Sequence, residues 1–131
     1  MLLFGSGRVA KPVLKLLDTH DDVYVTVASE DPVQGQELVD VMSGSGSKAR
    51  FQPFKFPHDN EKLPHMIRDC DVAISLLPAT MHMPLAEEAI RQHRHLVTAS
   101  YVSPGNIYDV ALFIQYLIVI YYSLRCCCCC N

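Results

Sequence analysis

A chain of 131 residues holds one domain at most. Its composition, 50% hydrophobic and 19% charged, is that of a folded protein and excludes a disordered one. The net charge of −3, with no basic stripe, argues against nucleic acid as a partner.

Residues 1–4 are wholly apolar and read as a short, fully buried parallel strand. They run into Gly5-x-Gly7-x-x-Ala10, and an amphipathic helix to about residue 18 follows. Each small residue has a physical purpose in such a unit. Gly5 permits a tight turn, Gly7 lets a pyrophosphate lie against the backbone, and Ala10 lets the helix pack closely on the strand. The free N–H groups and dipole of the helix start then hold the phosphates. Pro12 must fall within the first helical turn or just beyond it, since in a helix interior it would remove a hydrogen bond. Met1 already lies in the first strand and no cationic leader precedes it, so no secretory signal is expected.

Residues 23–28 form a β-branched second strand, ending at Ser29-Glu30-Asp31. A carboxylate roughly twenty residues beyond the glycine turn accepts hydrogen bonds from the adenosine ribose hydroxyls and repels a 2′-phosphate. Glu30 stands at that offset, which favours NAD over NADP. Asp31-Pro32 is also a sound helix start, with Asp31 as N-cap. The second helix covers 33–42, with Val33, Leu38, Val41 and Met42 inward, and a Gly/Ser loop ends it.

Residues 51–56 read as a third strand, which Pro53 confines to a sheet edge. A short helix over 61–68 turns Leu63, Met66 and Ile67 inward. Residues 72–77 form a buried fourth strand closed by Pro78. Thr80 or His82 caps a fourth helix with Leu85, Ala86, Ala89 and Ile90 on its apolar face, and residues 95–100 make a fifth strand. Ser103-Pro104 marks a further helix start. Right-handed crossovers through this alternation give an α/β, Rossmann-like, doubly wound parallel sheet of order 3-2-1-4-5, incomplete at its C-terminus. Ligands in such sheets bind beyond the carboxyl ends of the strands, so residues 5–9, 29–31, 77–80 and 100–101 gather along one rim.

Four stretches carry a resemblance to a known family: 4–12 (FGSGRVAKP), 25–29 (VTVAS), 71–78 (DVAISLLP) and 95–104 (HLVTASYVSP). Together they are far more specific than the glycine turn, and they include the awkward Pro12. The chain resembles the nucleotide-binding part of saccharopine dehydrogenase (saccharopine reductase) over residues 1 to about 105. The resemblance implies NAD- or NADP-dependent oxidoreduction of saccharopine, giving glutamate and aminoadipic semialdehyde, in lysine metabolism. It implies that Ser6, Gly7, Arg8 and Val9, with Gly5, hold the pyrophosphate, and that Ser29, Glu30 and Asp31 face the ribose. Leu77 would line the cofactor groove, Ala99 and Ser100 would lie near the nicotinamide, and Ser100 and Tyr101 would reach the substrate. NADP-using fungal members carry arginine where Glu30 stands, so the style is nearer the bifunctional lysine-degrading enzymes. No catalytic residue is assigned. A homodimer is expected of the full-length family.

The family continues into a substrate domain for which this chain shows no counterpart. The reading is therefore a dinucleotide-binding domain over 1–109 and an apolar, cysteine-ended tail over 110–131, a fragment without turnover of its own. The alternative is a non-catalytic nucleotide-binding or regulatory module. The apolar run 110–122 falls short of the ~18–20 residues of a bilayer span, which argues against a membrane anchor. Residues 126–130 are consecutive cysteines, too close in the chain to converge on a metal, and no metal is expected. Cys70, the remaining cysteine, reads as inert packing. Without a disulfide framework the chain suits a reducing compartment, cytoplasmic in preference to mitochondrial.

Overall fold

The structure is a computed structural model that describes residues 1–42 and 48–99. Strands β1 (Leu2–Phe4), β2 (Val25–Ser29), β3 (Ala49–Pro53), β4 (Val72–Ser75) and β5 (His95–Thr98) form one sheet in the order β3-β2-β1-β4-β5. All four pairings are parallel, with Leu3 opposite Val27 on one side and Ile74 on the other. The expected architecture and order are those observed. Helices α1 (Ala10–Leu17), α2 (Pro32–Val41), α3 (Leu63–Arg68) and α4 (His82–Arg91) make the crossovers, α1 beside α2 and α3 beside α4.

Strand alternation decides which residues meet which helices. Leu3, Val25 and Val27 pack with Ala10 and Leu14 of α1 and with Leu38, Val39 and Met42 on the α2 side. Leu2 and Phe4 point to the opposite face and are equally buried, and the Phe54 ring meets Phe4 edge-on at 5.3 Å. A three-residue strand suffices at the centre because it is sealed on both faces and paired along both edges. Ala10 and Leu14 are fully buried, one helical turn apart, and truncating Leu14 to Ala would cost about 2–5 kcal/mol. Pro12 is the third residue of α1, within its first turn as expected.

Several boundaries and faces differ from the sequence reading. Val33 is not inward: it is 66% exposed. Gly35 sets the face of α2, because a Cβ there would overlap the Phe51 ring on β3. The helix lies flush on that ring, the buried stripe becomes Gly35, Leu38, Val39 and Met42, and Val33 falls off it. Strand β3 starts two residues earlier than expected and ends at Pro53, the edge position anticipated for it. Phe54 and Phe56 leave the ladder and turn their rings toward each other at 6.5 Å. Neither Thr80 nor His82 caps α4. A 3₁₀ turn at Ala79–Met81 leads into it and Met81 takes the cap position without a side-chain bond. Leu85 and Ala89 are buried as expected, and Glu88 joins them, bonded to Arg91 and, at 2.7 Å, to Gln92. The helix start at 103–104 and the boundary near 110 lie outside the described residues.

Candidate functional site

The glycine turn leaves the carboxyl end of β1 under control from both neighbours. Gly5 N–H donates to the Ala28 carbonyl at 2.9 Å, and Leu76 N–H donates to the Phe4 carbonyl at 2.9 Å. Gly5 has φ +100°, a conformation that favours glycine, and a Cβ would press on Leu77 Cδ2 at 3.4 Å. Gly7 is the reverse case: a Cβ there would meet nothing within 4 Å. The backbone at Gly7 therefore faces open space at the start of α1, whose cap residue, Val9, offers no side-chain bond. The first turn of a helix presents N–H groups without intrahelical partners, and an uncapped one is suited to an anion.

Ser6 and Ser29 tie this turn to the tip of β2, with their hydroxyls 2.7 Å apart. Ser29 also accepts from Asp31 N–H at 3.2 Å, and Ser6 donates to Gln34 Oε1 at 3.4 Å. With Ser6 donating to Gln34, the Ser29 hydroxyl is the donor to Ser6. The chain of bonds holds the glycine turn against β2 and the start of α2.

A cleft of about 330 Å³ opens along this rim. Gly5, Ser6, Gly7, Ser29, Glu30 and Leu77 line it, so the fold brings together six of the residues singled out from sequence. Arg8 and Val9 are exposed and lie outside the lining, as does Ala99, while Ser100 and Tyr101 lie outside the described residues. Asp31 is outside it too, because its carboxylate caps α2, accepting from Val33 N–H at 2.9 Å and Gln34 N–H at 3.1 Å. Phe54, Phe56 and Met81 supply apolar walls that sequence reasoning did not assign to a site. Their signal, the Phe-Lys-Phe alternation, was absorbed into a strand.

Glu30 is exposed, and its carboxylate stands 3.8 Å from Lys55 Nζ. His82 turns from the cleft toward β4, its Nδ1 3.0 Å from the fully buried Ser75 hydroxyl. Burial holds the His82 imidazole below its usual protonation range. Burial likewise pushes the Cys70 thiol up, and its Sγ donates to the Ile67 carbonyl at 3.2 Å, an inert arrangement. Among the described residues no helix is long and apolar enough to cross a membrane, and no three His, Cys, Asp or Glu side chains group as for a metal.

A larger cleft, of about 430 Å³, opens at the amino ends of the strands, around Tyr24, Arg50 and Asp71. It contains no glycine turn and no helix start. Parallel sheets of this order bind ligands at the opposite, carboxyl rim, beside the point where strand order reverses, between β1 and β4.

Comparison with known proteins agrees with this geometry. The family model for the saccharopine dehydrogenase NADP binding domain matches residues 1–117. The chain is 41% identical over 105 residues to the saccharopine dehydrogenase [NADP(+), L-glutamate-forming] of Saccharomyces cerevisiae, spanning 80% of this chain and 22% of that enzyme. It is 33% identical over 107 residues to the mitochondrial alpha-aminoadipic semialdehyde synthase of Bos taurus, 80% of this chain and 11% of that protein. The apo structure of the S. cerevisiae enzyme superposes with a TM-score of 0.65 at 42% identity, over 79% of this chain and 22% of that one. A nicotinamide dinucleotide is the cofactor class of this family, and both the family and its yeast member are named for NADP, whereas Glu30 by itself favours NAD. With its parallel sheet and its glycine turn in place, this chain belongs to the saccharopine dehydrogenase NADP-binding domain family.

Proposed function

We propose that this chain is the dinucleotide-binding portion of an oxidoreductase that interconverts saccharopine with glutamate and aminoadipic semialdehyde. The observation that carries the reading is the open backbone at Gly7 on an uncapped helix start, facing a rim cleft shared with Ser29 and Glu30. Those features fit a dinucleotide. Gly5, Ser6 and Gly7, with Arg8 and Val9 at the mouth, hold the pyrophosphate. Ser29 and Glu30 meet the adenosine ribose, with Asp31 fixing the helix behind them. The Phe54 and Phe56 rings offer an apolar wall to the adenine, and Leu77 lines the path toward the nicotinamide. The substrate contacts expected of Ser100 and Tyr101 lie outside the described residues.

When bound, the nicotinamide supplies hydride transfer to or from the carbon next to the saccharopine nitrogen. The residues of this chain bind and orient it. Hydride transfer needs the two reacting carbons held in near-attack geometry. The chain spans about a fifth of the length of the yeast relative, whose remainder is the expected source of substrate positioning. The expected behaviour is dinucleotide binding by this chain and saccharopine turnover by a protein carrying the whole family length.

Isothermal titration of the 131-residue chain with NADP and with NAD tests the reading. Saturable binding of either supports it, and absence of binding to both ends it. A binding module without chemistry would bind equally well. Turnover of saccharopine by the family-length protein, lost on substituting the glycine turn, separates the two.

A further inference from the structure

The rim carries a cation that the cofactor reading leaves unused. Lys55 lies between the two aromatic residues that wall the cleft, and its Nζ stands 3.8 Å from the Glu30 carboxylate that also lines it. The backbone is fixed at Phe54 once and at Lys55 twice. Phe54 N–H donates to the Ser29 carbonyl at 3.0 Å, Lys55 N–H donates to Asp59 Oδ2 at 2.7 Å, and Asp59 N–H returns to the Lys55 carbonyl at 2.8 Å. The Asp59 carboxylate is itself engaged by Lys62 Nζ at 2.6 Å. The one ion pair of the Lys55 ammonium among the described residues is therefore with Glu30. Both side chains are more than half exposed, 59% and 65%, so the pair is weak and opens readily.

Resting on the dinucleotide reading above, we infer that Lys55 is the counter-ion for a ribose 2′-phosphate, so that this site accepts NADP despite the carboxylate at Glu30. The chemistry is a division of labour at one point of the rim. With an unphosphorylated ribose, Glu30 accepts from the hydroxyls and Lys55 stays on Glu30. With a 2′-phosphate, the ammonium leaves the carboxylate for the more highly charged phosphate and offsets its repulsion by Glu30. A strand-end arginine is not needed, because the cation comes from the neighbouring strand end. Exposed charges at this spacing are screened by salt, so the contribution of Lys55 to NADP binding is salt-dependent.

The test is titration of NADP and NAD, and of the fragments 2′,5′-ADP and ADP, into wild type, Lys55→Ala, Lys55→Arg and Glu30→Gln at two ionic strengths. Lys55 is surface-exposed, and thermal unfolding of each variant checks that it folds as the wild type does. We expect Lys55→Ala to weaken NADP and 2′,5′-ADP about tenfold while NAD and ADP stay within about twofold, and Lys55→Arg to retain NADP. Glu30→Gln should tighten NADP, and added salt should erode the contribution of Lys55. Equal loss of both dinucleotides in Lys55→Ala, or no loss of either, overturns the inference. A wild type that binds NAD but not NADP overturns it and leaves the dinucleotide reading standing. A wild type that binds neither overturns both.

Discussion

Helices α1 and α2 begin at the same rim, one after β1 and one after β2, and they begin in opposite ways. The first turn of α2 is self-sufficient: Asp31 accepts from two of its N–H groups and Pro32 removes another. The first turn of α1 also contains a proline, Pro12, and its Ala10 N–H meets the Gly7 carbonyl at 2.9 Å, but it has no capping side chain and is preceded by a glycine with open space where a Cβ would stand. The glycines follow the same division. Gly35 in α2 is small because Phe51 occupies the place of its side chain, and Gly7 is small with nothing occupying it. A helix start completed by its own side chains is architecture. One left open beside a cleft suits the phosphates proposed for it. The contrast predicts that substitutions at the start of α2 are felt in stability and those at the glycine turn before α1 in affinity.

The largest effect is expected on the architectural side. Gly35→Ala forces a methyl into the Phe51 ring, an overpacking cost of about 1–3 kcal/mol that urea unfolding will register, with dinucleotide affinity of the folded protein unchanged. Adding Phe51→Leu should recover much of the loss; a double variant no better than Gly35→Ala would show that the ring is not the obstacle. Next comes Gly7→Ala. Stability should move by less than about 0.5 kcal/mol, because the new methyl meets nothing in the free protein. Dinucleotide affinity should fall tenfold or more, about 1.4 kcal/mol. Unaltered affinity would place the phosphates elsewhere.

Asp31→Ala removes the α2 cap and should cost about 1 kcal/mol of stability, with Asp31→Ser restoring most of it. If instead affinity drops while stability holds, Asp31 serves the ribose and the division between the two helix starts is not clean. The smallest effect is a slope. Burial holds the folded His82 below its ordinary value of 6.5, so as pH falls the unfolded chain takes up its proton first. The His82 contribution is complete above about pH 6.5 and is lost progressively as pH falls from there toward the depressed folded value. Replacing His82 with Gln should flatten that part of the stability profile, and dinucleotide affinity at pH 7.5 should not follow it.

What could be read from the sequence was whatever depends on neighbours along the chain. The apolar run before Gly5, the β-branched run before Ser29 and the Asp31-Pro32 start all act locally, and all formed the expected elements, though β2 begins at Val25, two residues later than expected. What escaped was set by partners from another element. Val33 has the right composition for an inward residue, yet Gly35 and Phe51 decide the roll of α2. Phe54 and Phe56 alternate like strand residues, and only the end of the β2–β3 ladder at Pro53 frees them to wall the cleft. The charge balance at Glu30 was legible as a carboxylate but not as a pair, because Lys55 arrives from the segment that follows β3. Of the candidate site, the glycine turn and the two serines were visible as residues, while the bond between the serines was not.

The brevity of β1 has a consequence for how the rim behaves in time. Its three residues are sealed at 0–2% exposure, and the amides just beyond its neighbours' ladders, Gly5 N–H and Leu76 N–H, are locked at 2.9 Å to adjoining strands. Amides in such a place exchange with solvent only through opening of the whole cooperative unit, while helix ends and edge strands fray independently. The glycine turn proposed for the phosphates thus hangs from the most deeply sealed part of the sheet. It is already ordered before any ligand arrives, so association spends little entropy on shaping it and the encounter can proceed without waiting for a loop to fold.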